Sequence, residues 1–196
     1  MMVRRTAEQV VSELWEGNRR FQCGEVVGPR RDRARRASIA DGQAPCAAVV
    51  ACSDSRVPPE LLFDQGLGDL FVVRVAGNVI GGDALGSLEY AAEHLEVPVI
   101  VVLGHSRCGA VAAAIHGESG PPHLGGILAA LRPAVEATAR LGGDRASNAA
   151  REHVRRLTAE LPARSSTLGG RADTGRLVIV GAYYDIATGA VERLEP

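Results

Sequence analysis

The sequence is short of cysteine (four in 196 residues), of aromatic side chains (4%) and of net charge (−1). Each shortage excludes something. The opening run Met1-Met2-Val3-Arg4-Arg5-Thr6 leads into Ala7-Glu8-Gln9 instead of an apolar stretch, so no secretory signal is read and a cytoplasmic location is expected. In that compartment four cysteines read as ligands or buried thiols, not as a disulfide framework. No apolar run approaches the roughly 18–20 residues that cross a bilayer, so no membrane partner is expected. A net charge near zero gives the whole molecule no bias toward nucleic acid. The local exception is Pro29–Arg36, with five arginines in eight residues. No aromatic residue is interleaved there to stack on bases, and the stretch reads as a solvated or salt-bridged surface segment.

What is present suits one globular domain. Apolar residues make up 46% and charged residues 23%, and the length suffices to bury a single core. Neither an internal repeat nor a linker is visible, so residues 1–196 are read as one domain with 1–44 as an N-terminal helical arm. Within that arm Val10, Val11, Leu14, Trp15 and Phe21 fall near helical spacing, and Thr6 with Gln9 forms a capping-box pattern. The pattern leaves open whether this helix packs on its own core or on a second subunit.

From Pro45 onward short apolar runs alternate with helical stretches. Strands are expected at Cys46–Ala51, Leu70–Val75, Val97–Leu103 and Leu177–Tyr184, with a short last one at Val191–Leu194. Between them Pro58-Pro59-Glu60 opens a short helix, and Asp83–Leu95, Ala110–His116, Ile127–Arg140 and Ser147–Leu161 read as helices. Gly117–Gly126, with Pro121 and Pro122, reads as a loop. This alternation implies an α/β fold with a mainly parallel central sheet of about four strands, an antiparallel edge strand and flanking helices. Ligands in such sheets gather beyond the carboxyl ends of the strands.

Two candidate strands end on soft metal ligands. Cys52 follows the first, and His105-Ser106-Arg107-Cys108 follows the third. If those strands are neighbours, two thiolates and an imidazole meet, a donor set that suits one tetrahedral zinc ion per chain with a fourth position free for water. Cys46 sits at the far end of its strand, poorly placed to close the site. Asp54 and Arg56 lie two and four residues beyond Cys52. A guanidinium beside Asp54 would keep that carboxylate ionised and aimed, able to accept a hydrogen bond from a metal-bound water or to take the fourth position itself.

Cys52-Ser53-Asp54-Ser55-Arg56, Gly68–Asn78 and His105-Ser106-Arg107-Cys108-Gly109 together resemble the beta-class carbonic anhydrases of bacteria, over nearly the whole chain. The resemblance implies reversible hydration of carbon dioxide to bicarbonate and a proton by a zinc-bound hydroxide. It implies Cys52, His105 and Cys108 as ligands, Asp54 and Arg56 as the catalytic pair, and Gln43, Phe71 and Tyr90 as substrate-side residues. It also implies a homodimer or homotetramer in which the N-terminal helix packs onto the partner. Val75 and Ala76 depart from the family pattern, which more often has Asn and a larger aliphatic there. Two other readings fit the same residues: hydrolysis of carbon disulfide or carbonyl sulfide on the same site, or a non-catalytic zinc-stabilised interaction module capped by Asp54.

Overall fold

A computed structural model describes residues 5–118 and 120–195. The start of the opening run, Met1–Arg4, and Ser119 of the expected loop lie outside the described residues.

Helix α1 (Ala7–Cys23) is capped as its sequence demands. Thr6 Oγ1 accepts from the Gln9 N–H at 3.2 Å, Gln9 Oε1 accepts from the Thr6 N–H at 2.9 Å, and Gly24 at φ 70° ends the helix. The centre of its apolar stripe packs within the chain. Val10 and Leu14 are fully buried in a cluster with Val49, Val101 and Val180, while Trp15 tilts against Phe63 with centroids 5.9 Å apart. This face of α1 closes its own core, while Val11 and Trp15 on its flank stay partly exposed. Gly17 permits the approach, because a Cβ there would stand 1.9 Å from the Phe63 carbonyl oxygen. Burial of Val10 and Leu14 contributes about 1.5–3 kcal/mol each.

The arginine-rich segment forms α2 (Arg33–Ser38), capped by Asp32 accepting from the Arg35 N–H. Three of the five arginines of Pro29–Arg36 make the surface contacts expected of the segment. Arg30 and Arg35 both reach the buried Asp69, at 2.7 and 3.3 Å, and Arg31 donates to the Gln65 carbonyl.

Five strands, β1 (Ala47–Ala51), β2 (Leu70–Arg74), β3 (Val99–His105), β4 (Val178–Tyr184) and β5 (Val191–Leu194), form one sheet in the order β2-β1-β3-β4-β5. All neighbours are parallel except β4 and β5. The fold is thus the α/β sheet expected, with its antiparallel strand at the edge. Strands β1 and β3 are buried along their whole length, as continuous Val/Ile/Ala runs covered on both faces must be. One face carries α1 and the short α3 (Pro59–Leu62). The other carries α4 (Gly82–Glu93), α5 (Gly109–His116), α6 (Pro122–Ala137), α7 (Arg145–Arg164) and α8 (Ser166–Asp173).

Two expectations are corrected. The segment read as loop up to Gly126 is already helical from Pro122, because proline at the first helical position supplies the required φ and lacks only an N–H that has no partner there. Helix α8 was not foreseen at all. Ser165, whose hydroxyl accepts from the Leu168 N–H, ends α7 and caps α8 at once, so one long polar stretch breaks into two helices.

A candidate metal centre at the ends of two strands

Register brings the ligand types together. Ala51 pairs with Leu103, so Cys52 leaves β1 beside the last residues of β3, where His105 is the final strand residue and Cys108 directly precedes α5. The donor atoms of Cys52, His105 and Cys108 lie within 4.8 Å of one another, and the three residues are 5, 1 and 3% exposed.

Local hydrogen bonds orient each donor. His105 Nδ1 lies 2.8 Å from the Ser106 carbonyl oxygen, which makes Nδ1 the protonated nitrogen and leaves Nε2 as a lone-pair donor. That Nε2 is buried and has no hydrogen-bond partner among the described residues. Cys52 Sγ accepts from the Gly77 N–H at 3.2 Å and the Asp54 N–H at 3.4 Å. The Cys108 thiol donates to it as well, which holds Cys52 well below the usual thiol range as a thiolate, while the same contact and burial push Cys108 up. The pair shares one proton, which a divalent cation would displace. An orphaned imidazole nitrogen within 4.8 Å of two hydrogen-bonded cysteine sulfurs fits a metal.

Gly77 belongs to a 3₁₀ turn, Ala76–Asn78, after β2 and has φ 65°. A Cβ there would stand 3.0 Å from Leu131 Cδ1 and 3.2 Å from Ala110 Cβ. Only glycine both adopts this conformation without strain and fits the space, and so delivers its N–H to the sulfur.

Beside the three donors, Asp54 and Arg56 make a two-pronged pair. Arg56 Nη2 donates to Asp54 Oδ2 at 2.7 Å, and Arg56 Nε and its backbone N–H both donate to Oδ1 at 2.9 Å. These bonds hold the Asp54 carboxyl down at about 2. Arg56 in turn reaches the Arg107 carbonyl, tying the two loops together. Asp54 does not join the donor cluster; both of its oxygens are engaged by Arg56.

The remaining site residues lie elsewhere in the chain. Phe71 is in register with Ala48, four residues before Cys52, and hence about 13 Å back along the sheet. It stacks on Tyr90, centroids 6.1 Å apart, and Tyr90 on His94. Gln43 is exposed ahead of β1, at the opposite end of the sheet from Cys52. Cys46 is a buried free thiol at that same far end. Val75 packs on the core against the sheet.

Two contributors escaped the sequence reading. Arg74 donates through Nε to the Cys52 carbonyl at 2.9 Å and through Nη2 to the Asp54 carbonyl, clamping the backbone that carries both side chains. Ser106 Oγ accepts from the Ile186 N–H, fixing the β3 loop to the segment after β4. Arg74 stands inside a stretch the sequence had marked, but nothing in a sequence shows which carbonyls a strand-end arginine will reach.

Fold and site define an α/β protein with a buried Cys–His–Cys group able to hold a metal at the carboxyl edge of a parallel sheet. Comparison with known proteins makes this specific. The carbonic anhydrase family profile matches residues 47–191. The chain is 43% identical to a carbonic anhydrase of Mycolicibacterium smegmatis, covering 91% of this chain and 89% of the relative, and 44% identical to carbonic anhydrase 2 of Mycobacterium tuberculosis, covering 90% and 87%. Among solved structures it superposes on the beta-carbonic anhydrase CcaA with a TM-score of 0.75 at 30% identity, covering 94% and 95%. A tetrameric beta-carbonic anhydrase of Sordaria macrospora follows with 0.72 at 26%, covering 95% and 94%. The chain belongs to the beta-carbonic anhydrase family, and it is an enzyme of that kind.

Proposed function

We propose that this enzyme hydrates carbon dioxide reversibly to bicarbonate and a proton, with one zinc ion held by Cys52, His105 and Cys108. The observation that carries the reading is the buried donor trio standing next to a carboxylate that Arg56 keeps ionised and aimed. Zinc bound there supplies Lewis acidity, which acidifies a water enough to provide a nucleophile for an uncharged carbon. The chain supplies the rest. His105, locked by Ser106, presents Nε2. Gly77 and Asp54 N–H groups stabilise the Cys52 thiolate. Asp54, ionised and therefore only an acceptor, would accept a hydrogen bond from the attacking water and so turn its lone pair toward carbon dioxide, while Arg56 prevents Asp54 from swinging. Engagement of both Asp54 oxygens by Arg56 favours the form in which Asp54 does not cap the metal.

Two thiolates cancel much of the cation's charge, so water should be acidified less than by three imidazoles, and hydration should rise above neutral pH. We further propose that the protein works as a homodimer or homotetramer in the cytoplasm. Strand β2 is an open sheet edge, and Leu61 and Leu67 beside it are 47 and 43% exposed, as expected of a face that another copy covers. Gln43, Phe71 and Tyr90 can then act on substrate only at a neighbour's metal.

Zinc content and stopped-flow hydration measured on one purified sample test the proposal. One zinc per chain with a rate climbing between about pH 6.5 and 9 is expected. Zinc-loaded protein that hydrates nothing, or that releases sulfide from carbonyl sulfide faster than it forms bicarbonate, would refute it.

A further inference from the structure

Helix α7 runs behind both stretches that carry the metal ligands. One residue before His105 it lies so close to β3 that a Cβ on Gly104 would stand 2.6 Å from Val154 Cγ2. The adjoining residue of the helix, His153, is 4% exposed and hydrogen-bonds to the backbone of Gly77 in the 3₁₀ turn. That bond favours the charged ring, so the ring donates and the Gly77 carbonyl oxygen accepts. His153 Nε2 has no hydrogen-bond partner among the described residues, which leaves Nδ1–H as the donor. Burial pushes the imidazole down to about 4, so near neutral pH it carries one N–H, and the Gly77 carbonyl takes it. At the end of the same helix Arg164 donates to the Ile80 carbonyl, a second tie to the segment after β2.

The turn needs such a hold. Gly77 at φ 65° and Asn78 at φ 44° are successive left-handed residues, a conformation that persists only where the surroundings impose it. The turn's own bond, from the Asn78 N–H to the Val75 carbonyl, spans Gly77 without fixing its N–H. Glycine has no Cβ to restrict it, so its amide could turn away from the sulfur at little cost. Instead the two peptide planes that meet at Gly77 are tied to different partners. The N–H of one donates to Cys52 Sγ at 3.2 Å, and the carbonyl of the other accepts from His153. Hydrogen bonds to a ligand atom govern its orientation and how firmly it holds a metal.

We propose that His153 is a positioning residue for the metal centre: by holding the Gly77 carbonyl it fixes the turn that aims the Gly77 N–H at the Cys52 thiolate, and so tightens zinc binding. It acts through Gly77 and touches neither metal nor substrate. The inference rests on the reading of Cys52, His105 and Cys108 as metal ligands. A histidine kept only for packing would instead fill space between α6 and α7, where Ile80, Pro133 and Leu157 also stand. The two roles differ in what a replacement must supply. Positioning needs an N–H near Nδ1, whereas packing needs apolar volume.

The test compares His153→Asn, whose amide N–H can stand where Nδ1–H stood, with His153→Leu, which fills the apolar surroundings without a donor. Each is loaded with cobalt(II) in place of zinc and its sulfur-to-cobalt charge-transfer absorption recorded. Zinc affinity is measured by competition with a chelator, and stability by urea unfolding. In His153→Leu the absorption should move to longer wavelength, because a thiolate that loses an N–H bond gives up electron density more easily, and zinc affinity should fall about tenfold. His153→Asn should keep the parent's absorption and affinity, although asparagine is the poorer helix former. His153→Met, flexible enough to fill the same space, repeats the comparison should the leucine variant not fold. An unshifted absorption in His153→Leu, equal shifts in both variants, or a metal centre that follows urea stability, with leucine nearer the parent than asparagine, would each overturn the proposal. A parent that binds neither cobalt nor zinc would overturn the metal reading as well, so the two failures are distinguishable.

Discussion

At the metal centre the deciding unit is a single lone pair. His105 Nε2 is free because Nδ1 is committed to the Ser106 carbonyl, and it is buried where water cannot satisfy it. Asp54 is the opposite case, a side chain with every oxygen engaged. Its carboxyl is held at about 2 by Arg56. A depressed carboxyl contributes its interaction above its unfolded pKa and loses it only as pH falls through the folded one, so the Asp54–Arg56 pair persists at every pH at which the enzyme would be assayed. An activity loss near neutrality therefore has another origin than Asp54. Replacement of Asp54 by Asn should keep zinc and lower hydration by about a hundredfold, since the amide can donate where the carboxylate only accepts. Cys108→Ser should lose zinc and activity together. Metal analysis beside stopped-flow rates separates the two variants, and an Asp54→Asn enzyme of full activity would remove that side chain from the mechanism.

Among the elements, the 3₁₀ turn after β2 and helix α7 matter most. The turn exists to bring the Gly77 N–H to Cys52 Sγ, and a side chain there meets Leu131 and Ala110. Gly77→Ala should cost about 1–3 kcal/mol of stability by urea unfolding and release zinc faster to a chelator. Unchanged zinc release would show that the N–H···S bond does not hold the ligand. Helix α7 carries His153, whose pKa falls from 6.5 to about 4 on burial. The unfolded chain then takes up the proton first, so stability is complete above pH 6.5 and drains away as pH falls toward 4, by about 2 kcal/mol at pH 5. His153→Gln should flatten the urea midpoint between pH 7 and 5; a slope equal to the parent's would assign the acid sensitivity elsewhere. Element types were largely readable from period: the capping box set α1, an Ala/Val run set β1 and a Val/Ile run set β3. Helix α8 and the first turn of α6 were not. Their glycines, serines and prolines are loop formers by composition, and only the cap at Ser165 and the first-turn proline Pro122 turn them helical.

For the whole molecule the question is what one chain leaves incomplete. The donor trio and the Asp54–Arg56 pair are complete within a chain, whereas Gln43 lies beyond the opposite end of the sheet from Cys52, and Phe71 stacks on Tyr90 away from the donors. Sedimentation should give the mass of two or four chains of 20.5 kDa. Gln43→Leu should then lower kcat/KM with zinc content unchanged, while a monomer of full activity would exclude a substrate role for Gln43, Phe71 and Tyr90. No helix among the described residues is long and apolar enough to cross a membrane.

By itself the sequence determined the donor types, their positions just past apolar strands, and the pairing of Asp54 with Arg56, because these depend on neighbours a few residues apart. Only the tertiary structure decided that Cys52 meets His105 and Cys108, since that requires β1 and β3 to lie side by side in register. It alone showed Arg74 and Gly77 holding the Cys52 loop and one face of α1 closing its own core. Those are contacts between residues far apart in the chain, and they are set by how the sheet's connections cross and by where two backbones can approach, which no local pattern records.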